Sequence, residues 1–394
     1  MKRDLIVWLL IVYAGSFGAS LAQAQLSSQA KISLLTATPG GELYSVFGHS
    51  ALRVSDPETG IDEVYNYGTF DFDTPNFYMK FIRGKLLYKL SVTSFEVFLH
   101  DYRIEGRGVS EQVLNLNHDE KQRIYIFLLE NRQPGNEYYL YDFFFDNCAT
   151  RIRDVVDMHI KPDWGDDPFP EYNRSFRDML GPYLSGKPWA QFGVDLALGL
   201  PSDRRASPWQ YMFLPDEMFF AFAQARNSSG VALVEQNNLV LEETFVKQEP
   251  FFITPGVVAW ILFAFGLLSL AKSRIARVFD KLFFSLLGIA GLVILFIWFI
   301  SDHEATNANL NLLWALPTHL YFIFKASMIY PIGIPRHYFK FVFYINVGMI
   351  LFWPILPQAF HMAFLPIILL SAIKSFLYGY GDTWKRLPMF RRLR

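Results

Sequence analysis

One cysteine, Cys148, is all the thiol chemistry that this 394-residue chain contains. An intramolecular disulfide framework is therefore excluded. The formal net charge is −1, and no block of like charge is long enough to follow a nucleic-acid backbone, so nucleic acid is not expected as a partner. His-Glu-x-x-His, Cys-x-x-Cys, a phosphate-binding Walker loop and a Gly-x-Ser-x-Gly elbow are all missing; Gly48-His49-Ser50-Ala51-Leu52 does not fit the last. Neither a metal nor a cofactor is expected. Internal repeats and low-complexity linkers are absent as well.

Long apolar runs are what the chain has in abundance. Met1-Lys2-Arg3, an apolar stretch from Leu5 to about Phe17 and Leu21-Ala22-Gln23-Ala24 describe a signal peptide over 1–24, which implies export. From 251 onward the composition changes, and five apolar spans are expected at about 252–271, 282–300, 310–329, 339–356 and 360–378. Lys272, Arg274, Arg277 and Lys281 lie between the first two, Arg336 and Lys340 flank the link between the third and fourth, and the tail from 385 is basic. The alternate loops, 301–309 and 357–361, carry no Lys or Arg. The positive-inside rule then leaves the tail cytoplasmic and residues 25–250 outside the inner membrane. Lys325 can snorkel to the cytoplasmic end, whereas His319 within the third span suggests a role or a helix–helix hydrogen bond.

In the exported part, strands are expected at 31–39, 49–55, 63–67, 85–92 and 109–116, and helices at 75–83, 94–104 and 118–131. Ser94 opens the second of those helices, and Asn117-His118-Asp119-Glu120 is a capping box for the third. Residues 231–243 read as a closing hairpin around Asn237-Asn238. The domains expected are a catalytic part over 25–160, an extension over 161–250 that packs on it, and the membrane part over 251–394.

Chemistry concentrates at Tyr141-Asp-Phe-Phe-Phe-Asp-Asn-Cys148-Ala-Thr-Arg-Ile-Arg-Asp154, an aromatic, strand-like run followed by helical spacing at Ile152, Val155, Val156 and His159. Asp146 or Asn147 is the N-cap, which puts Cys148 in the first turn. Free N–H groups and the helix dipole favour a thiolate there, with Arg151 and Arg153 adding positive charge. The alternative is a buried structural cysteine. A thiolate nucleophile needs a base, and among the eight histidines His49, at the start of a hairpin strand, is the best placed. His159 lies roughly 16 Å along the same helix by helical rise, too far to serve. Glu63 and Asn66 lie on the paired strand, only one parity can face His49, and Asn66 is preferred.

Phe47-Gly48-His49-Ser50-Ala51-Leu52-Arg53-Val54, Tyr65-Asn66-Tyr67-Gly68 and the Cys148 segment together resemble the Lnb-type lipoprotein N-acyltransferases; Asp302-His303 and Asn309-Leu-Asn311-Leu-Leu-Trp314 extend the likeness into the membrane part. The resemblance implies an α+β fold, a circularly permuted papain-like domain of the NlpC type, followed by an all-α bundle of five transmembrane helices. It implies transfer of an acyl chain from a phospholipid donor, through a cysteine thioester, to the α-amine of a diacylglyceryl-modified lipoprotein at the outer side of the bacterial inner membrane. Cys148 would be the nucleophile and His49 the base; the resemblance does not settle the third member, for which the strand register favours Asn66. Tyr44, Arg53, Arg151, His303 and Asn309 are candidate contacts to substrate or membrane lipid. Two other readings stand beside it: a membrane-tethered cysteine hydrolase of peptidoglycan or peptide, and a non-catalytic membrane scaffold.

Overall fold

The computed structural model describes residues 25–165, 173–244, 252–271, 273–325 and 334–384. The signal peptide over 1–24 and the basic tail from 385 lie outside them. Two compact units are formed: one from 25–81, 85–165, 173 and 206–244, the other from 82–84, 174–205 and 252–384. The stretch 161–250 is thus divided between the two units.

The first unit is built on a seven-stranded antiparallel sheet. Its strands are β1 (Lys31–Ala37), β2 (His49–Asp56), β3 (Ile61–Thr69), β4 (Leu87–Ser94), β5 (Val109–Leu114), β6 (Tyr138–Leu140) and β7 (Val234–Leu241), in the order β6-β4-β3-β2-β1-β5-β7. β1 to β4 pair with their sequence neighbours as a meander, through a short turn at 57–60 and longer links at 38–48 and 70–86, the last holding the Phe77–Ile82 helix. On one face Leu35, Ala37, Ala51, Val64 and Val109 pack with Phe98 of the Phe95–Ile104 helix. The Cys148–Ile160 helix packs against β2, β3 and the His118–Asn131 helix, burying Ile152, Val155, Val156 and Ile160.

Local capping follows the expected chemistry. Ser94 accepts from Val97 N–H, and Asn117 and Glu120 form the reciprocal capping box ahead of 118–131. Two expectations are corrected. Residues 231–243 form one edge strand instead of a hairpin: Asn237 and Asn238 sit mid-strand, opposite Gln112 and Glu111 of β5. The unpaired edge of β5 offers a continuous ladder, which outweighs the local turn preference of two asparagines. Residues 141–147 are likewise not a strand. Asp142 and Asp146 exchange backbone hydrogen bonds at 2.9 and 3.1 Å, and Asp142 Oδ1 accepts from the N–H groups of Phe144 and Phe145, which turns the chain.

Among the described residues of the second unit three helices are long and apolar enough to cross a bilayer, within Arg274–Ile300, Pro335–Ile355 and Phe364–Gly381; Pro255–Ala271 is apolar but shorter. The second span lies in a helix over Ser273–Ile300, which starts earlier than expected and takes in Arg274, Arg277 and Lys281. The third does not start at 310. Leu310–Leu313 is a 3-10 turn, and an α-helix begins only at His319, past Pro317. Asn309 and Asn311 hold that turn by donating to the carbonyls of residues 195–197. His319 is buried between the Trp314 carbonyl, to which its Nε2 donates at 3.2 Å, and the Tyr338 hydroxyl, 2.8 Å from its Nδ1. An ion pair passed over in the sequence, Asp280 with Lys374 at 2.8 Å, lies inside this unit with both side chains nearly buried.

Candidate active site

Asn147 fixes where Cys148 stands. Its side chain accepts from Thr150 N–H, Thr150 Oγ1 accepts from Asn147 N–H, and its amide donates to the carbonyls of Phe143 and Phe213, each at 2.8 Å. With every polar atom used, Asn147 caps the helix, and Cys148 is its first residue. Asp146, the other candidate cap, pairs with Arg151 at 2.6 and 2.7 Å.

Two glycines bring the sheet to the cysteine. Gly68, at φ +92°, lies in a β-bulge of β3, and a Cβ there would stand 3.6 Å from that of Cys148. Gly48, at φ +81°, makes the turn into β2, and a Cβ on it would come within 2.9 Å of the Ala37 carbonyl oxygen. The backbone N–H groups of Ser50, Ala149 and Cys148 itself face the thiol and favour its thiolate against burial. The sulfur is therefore held at the residue after His49, and at the positive end of its own helix.

The β2–β3 register decides which neighbour His49 meets. Arg53 pairs with Val64 and Leu52 with Tyr65, so even-numbered residues of β3 share the face of His49 and Arg53. Asn66 is on that face. Glu63 is on the opposite one, where it accepts from Tyr65 and Arg132. His49 Nε2 lies 3.2 Å from Asn66 Oδ1. An amide oxygen only accepts, so Nε2 carries the proton and Nδ1 keeps its lone pair. Tyr102 stacks on the imidazole at 6.4 Å between centroids, tilted by 18°.

Charge at the site differs from the expectation. Burial pushes the Cys148 thiol up, opposed by the three N–H groups and by Arg107. Burial, with Arg107 second, holds His49 down at about 4, against the Asn66 hydrogen bond. Cysteine and histidine thus rest as a neutral thiol and a neutral imidazole at pH 7. Arg151 and Arg153 do not supply the free positive charge expected of them. The first is closed on Asp146 and lies 3.7 Å over the Tyr139 ring; the second pairs with Asp154 and lies 4.0 Å over Trp209. Arg107, in the Gly106–Gly108 turn before β5, lies over the Tyr102 ring that stacks on His49, and sequence reasoning missed both residues.

Of the remaining candidates, Tyr44 is exposed and meets Phe70 and Phe72 edge-on. Arg53 is not free for substrate: it pairs with Asp62 and Glu111 and lies 3.4 Å over Phe95. Asn309, in the second unit, is buried, and its amide is spent on the carbonyls of Leu196 and Ala197 and on accepting from Asn311 and Gln358. His303, in the same unit, is half-buried, its backbone bonded to Ser301 and Thr306. Among the described residues no cluster of His, Cys, Asp and Glu could hold a metal ion.

Neither a curated protein nor a solved structure matches the chain. Two family models do: residues 19–175 match the Lnb N-terminal periplasmic domain, and residues 247–383 the Lnb transmembrane domain. With both domains present in order along one polypeptide, this chain belongs to the Lnb-type family of membrane proteins with a periplasmic domain.

Proposed function

We propose that the chain is a lipoprotein N-acyltransferase of the bacterial inner membrane, with Cys148 as nucleophile, His49 as base and Asn66 as the residue that orients it. The observation that carries the reading is the Asn66 contact. It leaves a lone pair on Nδ1 of a neutral imidazole, one residue before Ser50, whose N–H favours the Cys148 thiolate. A strand histidine that precedes a cysteine at a helix N-terminus supports a circularly permuted papain-like arrangement. The match to the Lnb transmembrane domain supports five spans, with the irregular segment 310–318 leading into the His319–Lys325 helix of the third.

The transfer runs in two steps. The Cys148 sulfur attacks the ester carbonyl of a phospholipid while His49 Nδ1 takes the thiol proton. The C–S bond forms, the C–O bond breaks, and the imidazolium returns the proton to the departing glycerol oxygen. The α-amine of a diacylglyceryl-modified lipoprotein then attacks the thioester; its proton passes through His49 to the leaving sulfur, and an amide remains. Backbone N–H groups at the start of the Cys148 helix stabilise the oxyanion. A membrane anchor suits this chemistry because donor and acceptor are both lipids.

Mass spectrometry of a lipoprotein N-terminus tests the reading, from cells with and without the protein. An added amide-linked acyl chain that depends on Cys148 is expected. An unchanged N-terminus together with released muropeptides would make the protein a hydrolase.

A further inference from the structure

Arg107 carries a charge that its own turn does not need. The side chain is 4 % exposed. Nε donates to the Thr38 carbonyl at 2.7 Å and Nη1 to Glu105 at 3.1 Å, but Nη2 is buried with no hydrogen-bond partner. Its guanidinium carbon lies 4.6 Å from the Tyr102 ring, which also stacks on His49. The sheet accounts for this placement. Ala37 pairs with His49 on one side and Val109 on the other, so Thr38 and Arg107 come together at the end of the sheet where β2 begins.

A desolvated cation with an idle donor is unfavourable unless something nearby uses its field. Arg107 pairs with the exposed carboxylate of Glu105 and keeps Nη2 buried and unpaired, whereas Arg151 closes on Asp146 and Arg153 on Asp154 and the Trp209 carbonyl. We infer that Arg107 is the buried counter-charge of the Cys148 sulfur, a positioning residue that favours the thiolate as the nucleophile forms. This rests on the sulfur being the nucleophile proposed above, but it can be read without any acyl transfer.

His49, Tyr102, Tyr139 and Tyr141 are the titratable groups around the sulfur, with the closed Arg151–Asp146 pair beside Tyr139. Burial first keeps the three tyrosines protonated, and His49 is neutral above about pH 4. In the alkaline range to which burial pushes it, the thiol is therefore the group of this cluster that titrates.

The test is the pH dependence of iodoacetamide alkylation, read by intact mass on the full-length protein in detergent. Cys148 is the only thiol, so each added mass reports it alone. Only the thiolate reacts: a C–S bond forms and iodide leaves. Arg107→Gln is expected to raise the midpoint by about one pH unit or more, and Arg107→Lys to recover at least half of that shift. Glu105→Gln removes the opposing carboxylate from the exposed side and is expected to lower the midpoint. A cooperatively melting Arg107→Gln protein with an unchanged midpoint overturns the inference. Should that variant fail to fold, Glu105→Gln decides, and an unchanged or raised midpoint overturns it equally. A midpoint that moves as expected in a protein that transfers no acyl group would remove the proposed function and leave the counter-charge intact.

Discussion

His49 and Asn66, seventeen residues apart, meet at 3.2 Å through Nε2 and Oδ1, and that contact fixes which imidazole nitrogen keeps its lone pair. The β-sheet register makes the meeting possible, and the chemistry of an amide makes it directional.

Asn66→Ala should therefore let the imidazole rotate and change tautomer without unfolding the sheet. Acyl-adduct formation on Cys148 is expected to slow by roughly tenfold to a hundredfold, the scale of a misplaced catalytic group, with little change in melting temperature. Asn66→Asp should instead stabilise the imidazolium and move the acidic limb of the pH–rate profile upward from about pH 4.

Stability should depend on pH through the same histidine. Burial holds folded His49 at about 4, against 6.5 ordinarily, so between those values the unfolded chain binds the extra proton. Stability is complete above pH 6.5 and falls as the pH drops toward 4, by on the order of 3 kcal/mol at most. His49→Gln should flatten that part of the curve, seen as a smaller loss of melting temperature between neutral and acidic buffer. An identical loss in both proteins would contradict it.

The turn into β2 offers a conformational test. Gly48→Ala places a methyl 2.9 Å from the Ala37 carbonyl at φ +81°, and should cost about 1–3 kcal/mol while displacing His49. Thermal melts and adduct formation should both suffer, whereas Gly60→Ala, at φ +73° but with open space around it, should affect the melt alone.

Within the membrane unit, Lys374→Met leaves Asp280 buried without its partner and should cost about 3–5 kcal/mol. The double variant Asp280→Leu, Lys374→Met should regain most of it, as read from melting in detergent. A double variant no better than the single would mean that the charges do more than balance each other.

How much of this could be read from the chain depends on the range of each interaction. The Ser94 cap, the Asn117–Glu120 box and the Cys148 helix start are set by residues within four positions, and the sequence displays them. The choice between Asn66 and Glu63 waits on a register, which the strand pattern narrows but does not fix. Arg107 was invisible because its importance comes from β5 lying against β1, a pairing of distant segments. Arg151 and Arg153, expected to add positive charge at the thiol, are closed on Asp146 and Asp154, which stand close by in sequence. Burial of the thiol, which reverses the expected direction of its ionisation, is a property of the assembled site alone.

The central claim is covalent, and one measurement meets it directly: intact mass of the purified full-length protein after incubation with phospholipid and no acceptor. The account predicts a single acyl adduct that hydroxylamine removes, present in the wild type, absent from Cys148→Ala and strongly reduced in His49→Ala. A wild-type protein that stays unmodified while acylating a lipoprotein, or an adduct that survives Cys148→Ala, would contradict it.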